Sequence, residues 1–286
     1  RVNTAVMAEE SWSAGRWDLT AGLLVNYFSG GRGLLSLYPG ADAGFKITEH
    51  LRWYASFNRT LRHPTFTDLY YNDAVSIGNP DLLPEKAVVL ETGLKYYTGS
   101  LKAEMNLFSR RGSDMIDWVR AEGDDKWEAV NYTSVTLTGT EIMISYDFRG
   151  NASRFLTSAS AGYSYLCADK SSEGFQSKYL LDILRNKLDI RIIHHVAGPL
   201  SASWNLSWQD RNGGFVKYEN GLPVPGEAPF DDVWLLDAMV TGKFRSLTLF
   251  AEGTKITNSQ YYDLGNVLRP GRWVRAGLTL TLPGRK

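Results

Sequence analysis

Apolar and polar residues alternate along most of this chain in segments of about ten residues. Leu188-Asp189-Ile190-Arg191-Ile192 is one such segment. Leu101-Lys102-Ala103-Glu104-Met105-Asn106-Leu107 is another, and Leu247-Thr248-Leu249-Phe250-Ala251-Glu252 a third. A period of two sends successive side chains to opposite faces of a strand. The polar set carries full charges at Lys102, Glu104, Asp189, Arg191 and Glu252, so one face is wet. An apolar face against lipid and a wet face lining a lumen make the pattern of an all-β protein, a transmembrane antiparallel β-barrel.

The pattern predicts thirteen strands, over roughly 2–12, 16–28, 34–48, 51–61, 87–97, 101–119, 127–148, 153–167, 183–196, 199–211, 232–243, 246–256 and 272–282. Tight turns are expected at Ser13-Ala14-Gly15, Thr48-Glu49-His50, Thr98-Gly99-Ser100, Arg149-Gly150-Asn151, Ala197-Gly198-Pro199 and Phe244-Arg245, where Gly, Ser, Asn and Pro supply turn geometry. They alternate with longer connections at 62–86, 120–126, 168–182, 212–231 and 257–271, and a shorter one at 29–33. Short periplasmic turns and long extracellular loops place the long connections outside. An odd number of antiparallel strands cannot close on itself, and an open edge in lipid leaves backbone groups unpaired at several kcal/mol each. No export signal stands at the start of the chain, at Arg1. Residues 1–286 are therefore expected to be part of a larger barrel domain.

Composition narrows the choice. The 286 residues carry no net charge, with 22% charged residues, which excludes nucleic-acid binding through bulk basicity. No stretch of 18 apolar residues exists for a transmembrane helix, and a barrel needs none. The 13% of aromatic residues suits girdles at the two membrane interfaces. One cysteine, Cys167, makes no internal disulfide.

Two stretches go beyond a generic barrel. The first joins Ser56-Phe57-Asn58-Arg59-Thr60-Leu61-Arg62-His63-Pro64-Thr65-Phe66-Thr67-Asp68-Leu69-Tyr70 to Gly78-Asn79-Pro80-Asp81-Leu82-Leu83-Pro84-Glu85-Lys86 and Glu91-Thr92-Gly93-Leu94-Lys95-Tyr96. The second holds Thr254-Lys255-Ile256-Thr257-Asn258, Tyr261-Tyr262 and Pro270-Gly271-Arg272. Together they resemble the C-terminal half of TonB-dependent outer-membrane receptors. The resemblance rests on Arg62, Pro64, Thr65, Asn79, Pro80, Leu82, Pro84, Glu85, Pro270, Gly271 and Arg272. It implies a 22-stranded barrel of which this chain supplies about 13 strands, with the plug domain absent from it. It also implies residence in the outer membrane of a Gram-negative bacterium, in contact with outer-membrane lipid. Uptake of scarce large nutrients would be driven by an inner-membrane TonB-type complex acting through an N-terminal plug, with a surface substrate-binding lipoprotein as a further candidate partner. Pro64, Pro80 and Pro84 restrict the backbone of the long loop, and Glu85 is placed to pair with Arg62 where the chain re-enters the sheet.

Residues 61–71, 111–119 and 125–131 resemble most the cobalamin-receptor branch found in Bacteroidetes. Haem receptors share an element like Asn79-Pro80-Asp81-Leu82, but with a histidine in the segment that here, at 64–78, has none. Cobalamin is thus the expected cargo, with haem or a ferric siderophore as the alternative and a passive pore as the alternative of another class. Tyr70, Tyr71, Asn72, Trp118, Trp127 and Tyr218 are the candidate ligand-binding residues, because loop aromatics can stack on a large ligand. No resident cofactor is expected. Asp124 and Asp125, beside Glu122, are weak candidates for calcium, which normally takes six or more oxygens. His194 and His195 alternate faces and cannot share a metal. No zinc pair, nucleophile elbow or phosphate-binding glycine loop is present, so no enzyme is expected.

Overall fold

The structure is a computed structural model and describes residues 2–29, 35–121, 123–148, 155–170, 175–177, 183–219, 222–226, 228–264 and 267–282. Among them are thirteen long strands, each following its predecessor in the sheet as in the sequence. They are β1 (Asn3–Ala14), β2 (Trp17–Phe28), β3 (Leu35–Lys46), β4 (Leu51–Arg62), β5 (Glu85–Tyr97), β6 (Leu101–Ala121) and β7 (Trp127–Asp147), then β8 (Leu156–Lys170), β9 (Ile183–Ala197), β10 (Leu200–Asn212), β11 (Val233–Phe244), β12 (Leu247–Thr254) and β13 (Trp273–Leu280). The alternation therefore locates every long strand to within a few residues. Among the described residues no helix is long and apolar enough to cross a membrane, which says nothing about crossing by strands.

The chain divides into two compact units. One comprises residues 1–95, 105–140 and 166–183, the other 96–104, 141–165 and 184–286. In the first unit the register aligns like with like. Trp12, Leu19, Ala43 and Ala55 form one cross-strand row, and Glu10, Ala21, Ala41 and Phe57 the next. This face is apolar apart from Glu10 and, near the strand ends, Thr4 and Arg59. Its large side chains, such as Val6, Leu23 and Leu37, stay exposed. The opposite face carries Asp18, Asp42 and Ser56, with Tyr54 donating to Asn106 Oδ1 at 3.0 Å. Toward the short-turn end, Trp17 packs on Phe45 at 4.6 Å between ring centroids and edge-on to Trp53 at 6.4 Å, as interfacial girdle residues do.

The second unit repeats the division. Trp204, Ala238 and Gly253 share one row, Ala202, Val240, Ala251 and Ala276 another, while Met239, Glu252 and Arg275 run on the other face. Arg275 donates to Glu252 across that face at 2.5 Å. Trp208 and Trp234 pair at the long-loop end, 6.1 Å apart.

The tight turns have local causes. Gly15, Gly198 and Arg245 adopt positive φ at two-residue hairpins, the geometry that matches strand twist. Thr48 Oγ1 accepts from the His50 and Leu51 amides, and Thr98 Oγ1 from the Leu101 amide. The expected turn at 149–151, residues 30–33 of the connection at 29–33 and most of 168–182 lie outside the described residues.

Candidate functional site

The connection between β4 and β5 is not an irregular loop. Pro64 and Thr65 open a short helix, α1 (Phe66–Tyr70). Thr65 Oγ1 accepts from the Asp68 amide at 3.1 Å, and Asp68 Oδ2 accepts from the Thr65 amide at 2.9 Å. This capping box satisfies two amides that a helix start leaves unpaired. The underside of α1 is buried. Leu69 joins Leu82, Ile116, Trp118 and Ala129 in a small core, with Trp127 against it.

Arg62 clamps the base of this module. Its Nε donates to Glu85 Oε2 and one terminal nitrogen to Glu85 Oε1, both at 2.6 Å, while another lies 3.6 Å from Asp68 Oδ2. The Ile116 amide adds a third bond to Glu85 Oε1, at 2.8 Å. A fork-to-fork pair fixes orientation as well as charge; the Glu85 carboxylate is buried, while the Arg62 side chain stays about half exposed. The expected pairing of these two residues is thus present.

The remaining motif residues close the loop. Asn79 Oδ1 accepts from the Asp81 amide, and the Asn79 amide donates to the Asp68 carbonyl on α1, both at 2.9 Å. Gly78 lies so close under α1 that a Cβ would meet the Asp68 carbonyl oxygen at 2.8 Å and the Tyr70 nitrogen at 2.9 Å. Asn131, on β7, holds the return limb. Its amide oxygen accepts from Leu83 N, and its amide nitrogen donates to the carbonyls of Leu83 and Asp114. Asp114, at φ 54°, also accepts from Lys86 at 3.0 Å. Ser76–Ile77 adds a short parallel pairing to Trp127–Glu128.

The candidate ligand residues fall into different settings. Trp118 is only 8% exposed and works inside the loop core, while Trp127 carries Arg120 over its ring at 4.9 Å. Tyr71 meets Trp118 edge-on and donates to Asp73 Oδ2 at 2.9 Å. That bond pushes the Tyr71 phenol above its ordinary value. The Val75 amide, followed by the Tyr71 hydroxyl, holds the Asp73 carboxyl below its own. Tyr70 and Asn72 are exposed. The Tyr218 side chain lies outside the described residues, as does Glu122. Asp124 and Asp125 are exposed, and among the described residues no group of three or more His, Cys, Asp or Glu side chains is arranged to hold a metal. His63 stacks on Phe28 at 4.0 Å, its Nε2 3.4 Å from Asn26 Oδ1.

The C-terminal motif also builds a loop. Asn258, at φ 55°, accepts from the Arg272 amide at 2.9 Å, and Gly271 packs where a Cβ would lie 2.5 Å from Asn258 Oδ1. Lys255 donates to the Pro270 carbonyl at 3.0 Å and sits 4.9 Å from the Tyr261 ring centroid. The Phe215 ring lies 5.1 Å from those of both Phe230 and Tyr262. Elsewhere, a shallow depression of about 920 Å³ overlies Ala21, Ala41, Ala43 and Ala55 on the apolar face of the first unit. Ser56, Phe57, Glu91 and Thr92 of the first motif stretch are among its lining, but no residue of the connection 62–86 is.

The profile of the family described as "TonB dependent receptor-like, beta-barrel" matches residues 1–272. The chain belongs to this family. Among curated relatives of this receptor-family chain, the vitamin B12 transporter BtuB of Vibrio vulnificus (strain YJ016) is 29% identical over 99 residues, which are 35% of this chain and 16% of that transporter. Solved structures of receptors and transporters of named cargo align over nearly all of this chain in fold. The ferric enterobactin receptor PfeA of Pseudomonas aeruginosa superposes with a TM-score of 0.74 at 17% identity, over 97% of this chain and 44% of the receptor. The FrpB iron transporter of Neisseria meningitidis gives 0.73 at 19%, over 97% and 45%. The chain therefore spans less than half the length of the receptors it resembles, and at these identities the likeness shows the fold alone.

Proposed function

We propose that this chain supplies barrel strands and extracellular loops to an outer-membrane receptor that imports cobalamin in a Gram-negative bacterium. A TonB-type inner-membrane complex would energise the import. The apolar face of the strands contacts outer-membrane lipid, the charged face lines the lumen, and the long connections, including α1, lie outside. A substrate-binding lipoprotein is a further partner in this reading. The observation that carries the choice of cargo is the 99-residue similarity to a vitamin B12 transporter. The cross-strand rows, apolar on one face and charged on the other, support the membrane setting. The second reading is a ferric-siderophore or haem receptor. It is favoured by the siderophore and iron receptors among the structural neighbours.

Equilibrium binding to the full-length receptor decides between them. Nanomolar binding of cyanocobalamin, with uptake abolished in a strain lacking the TonB protein, is the expected result. Tight haem binding that is lost in His63→Ala, without cobalamin binding, overturns the cargo. Uptake that does not depend on the TonB protein overturns the receptor reading in favour of a passive pore.

A further inference from the structure

We propose that Arg59, Lys86 and Arg111 form a cationic seat on the apolar face of the first unit, and that it holds the phosphate groups of an anionic glycolipid in the outer leaflet. The inference rests on the membrane reading above and names a lipid partner for one rim of the sheet. The three residues come from neighbouring strands, β4, β5 and β6. Side-chain contacts fix their faces. Trp53 Nε1 donates to Thr92 Oγ1 at 2.9 Å, so Thr92 shares the apolar face with Trp53. Alternation along β5 then puts Leu90, Val88 and Lys86 there too. Tyr54, on the other face, donates to Asn106 Oδ1, so Leu107 and, four residues on, Arg111 return to the apolar side. Arg59 follows Phe57 on that side.

Phe57, Leu90 and Leu107 line one depression. Each of their strands turns cationic two to four residues beyond it, toward the long connections. Depth agrees with a lipid boundary. Trp53 belongs to the aromatic group at the short-turn end. From there β4 rises roughly 20 Å to Arg59, and a long cationic side chain reaches further toward water. The cations therefore stand at the outer edge of an apolar band about 25 Å tall, where charge is tolerated and headgroups begin.

The charges indicate the occupant. Arg59 and Arg111 are exposed and make no ion pair or hydrogen bond among the described residues. Lys86, on the strand between theirs, lies 3.0 Å from Asp114. Asp114 offsets one of the three positive charges, which leaves two open guanidinium forks. Such a fork matches a pair of phosphate oxygens. Glu10, the carboxylate on the β1 to β4 part of this face, lies in the row of Phe57, three strands and roughly 14 Å away. Phosphate binds above and an acyl chain lies in the depression below, so the site suits an anionic amphiphile. An acidic polypeptide would satisfy the cations but not the apolar floor.

The test uses the full-length receptor in detergent, with bisphosphorylated lipid A, the same lipid without its phosphates, and inorganic phosphate as probes. Arg59→Gln and Arg111→Gln are each expected to weaken binding of the phosphorylated lipid about fivefold, and the double variant about twentyfold, with thermal unfolding unchanged. Arg110→Gln, which removes the same charge from the opposite face, should leave binding as it is. The double variant should no longer distinguish the two lipids. Unchanged affinity in the double variant, or equal binding of both lipids to the parent, overturns the seat and leaves the receptor reading intact. Inorganic phosphate binding as tightly as the lipid overturns the glycolipid as occupant. So does a photo-crosslinker placed at Ser109 that captures a polypeptide in cells instead of glycolipid. Quenching of tryptophan fluorescence by brominated acyl chains reports lipid on the apolar face independently of the arginines. Its absence overturns the membrane reading and the seat together.

Discussion

Arg62 and Glu85 stand at the facing ends of β4 and β5, and both oxygens of Glu85 accept from Arg62 at 2.6 Å. The pair closes the base of a 22-residue connection, 63–84, by joining the residues that flank it. Glu85 serves three donors, since the Ile116 amide shares Oε1. Replacing Glu85 with Ala leaves that amide and the guanidinium without their acceptor. The Arg62 side chain is about half exposed, so water recovers part of the loss. The expected cost is about 2 kcal/mol, below that of breaking a fully buried pair. Glu85→Gln retains one acceptor and should cost about 1 kcal/mol. Hydrogen exchange across 63–84 checks this. Faster exchange there in Glu85→Ala, with β1 to β3 unaffected, is the expected pattern, and unchanged exchange would contradict it.

Gly78 gives a sharper steric test. A methyl group there meets backbone atoms of Asp68, Leu69 and Tyr70 at 2.8–2.9 Å, and backbone cannot rotate away as a side chain would. Gly78→Ala should cost about 1–3 kcal/mol as overpacking and should displace α1. Gly99, in the tight turn between β5 and β6, meets nothing within 4 Å, so Gly99→Ala should stay within about 0.5 kcal/mol of the parent. Urea titration of both variants, monitored by tryptophan fluorescence, compares them directly. Equal midpoints would refute the close packing of α1 on Gly78.

How far the sequence foretold these features depends on the range of the interaction. Strands were legible because a period of two needs only neighbouring residues, and the register then kept Ala21 beside Ala41 on the apolar face. The Arg62–Glu85 pair was legible because the two residues stand near opposite ends of the predicted connection 62–86, beside adjacent predicted strands. Helix α1 was not foreseen, since five residues are too few to display a 3.6-residue period. The Thr65-x-x-Asp68 spacing after Pro64 is the signal that could have found it. Asn131 lies in the 125–131 stretch, and nothing in its sequence neighbourhood marks a role. Its three bonds reach Leu83 and Asp114, which approach it only in the folded loop, so no local pattern marks it. Trp118 was expected to meet ligand from the end of the predicted strand 101–119, yet the folded loop packs over it and buries it in the small core with Leu69 and Leu82, contacts that no local pattern shows.

The turn at Asp73 predicts a pH dependence. Its Oδ1 accepts from the Val75 and Ser76 amides at 2.9 and 2.6 Å, and its Oδ2 from the Tyr71 hydroxyl. These bonds favour the charged form and hold its pKa below the ordinary 3.8. A lowered folded-state pKa contributes stability that is complete above the unfolded value and lost as pH falls through the folded one. The turn should therefore hold at neutral pH and loosen only below about pH 3.8. Asp73→Asn should abolish that acid-dependent step. Amide exchange of Val75 and Ser76 between pH 2 and 6, corrected for intrinsic rates, is the measurement. An acid step that persists in Asp73→Asn would assign it to another group.

The two faces of the sheet make opposite predictions for a new charge. Ala251 lies in the apolar row with Val240 and Ala276, whereas Thr248 lies on the charged face opposite Lys243. If the apolar face meets lipid, Ala251→Arg should destabilise the protein in vesicles by about 2–4 kcal/mol, with Thr248→Arg nearly neutral. Reversible unfolding from phosphatidylcholine vesicles would measure both. Equal tolerance of the two would argue against lipid on the Ala251 face.

The contact between Asn258 and Gly271 allows a test that separates packing from simple loss of a hydrogen bond. Asn258 Oδ1 occupies the space a Cβ on residue 271 would need, at 2.5 Å, and accepts from the Arg272 amide. Gly271→Ala should therefore cost about 1–3 kcal/mol, because Asn258 must move and release that amide. Asn258→Gly also loses the hydrogen bond, although glycine suits the positive φ at this position. In the Asn258→Gly background the obstruction is gone, so adding Gly271→Ala should cost little further. The double-mutant cycle should then show a coupling of about 1–2 kcal/mol. Additive effects of the two substitutions would mean that Gly271 is required for another reason, and that the side chain of Asn258 does not set the path of the loop into β13.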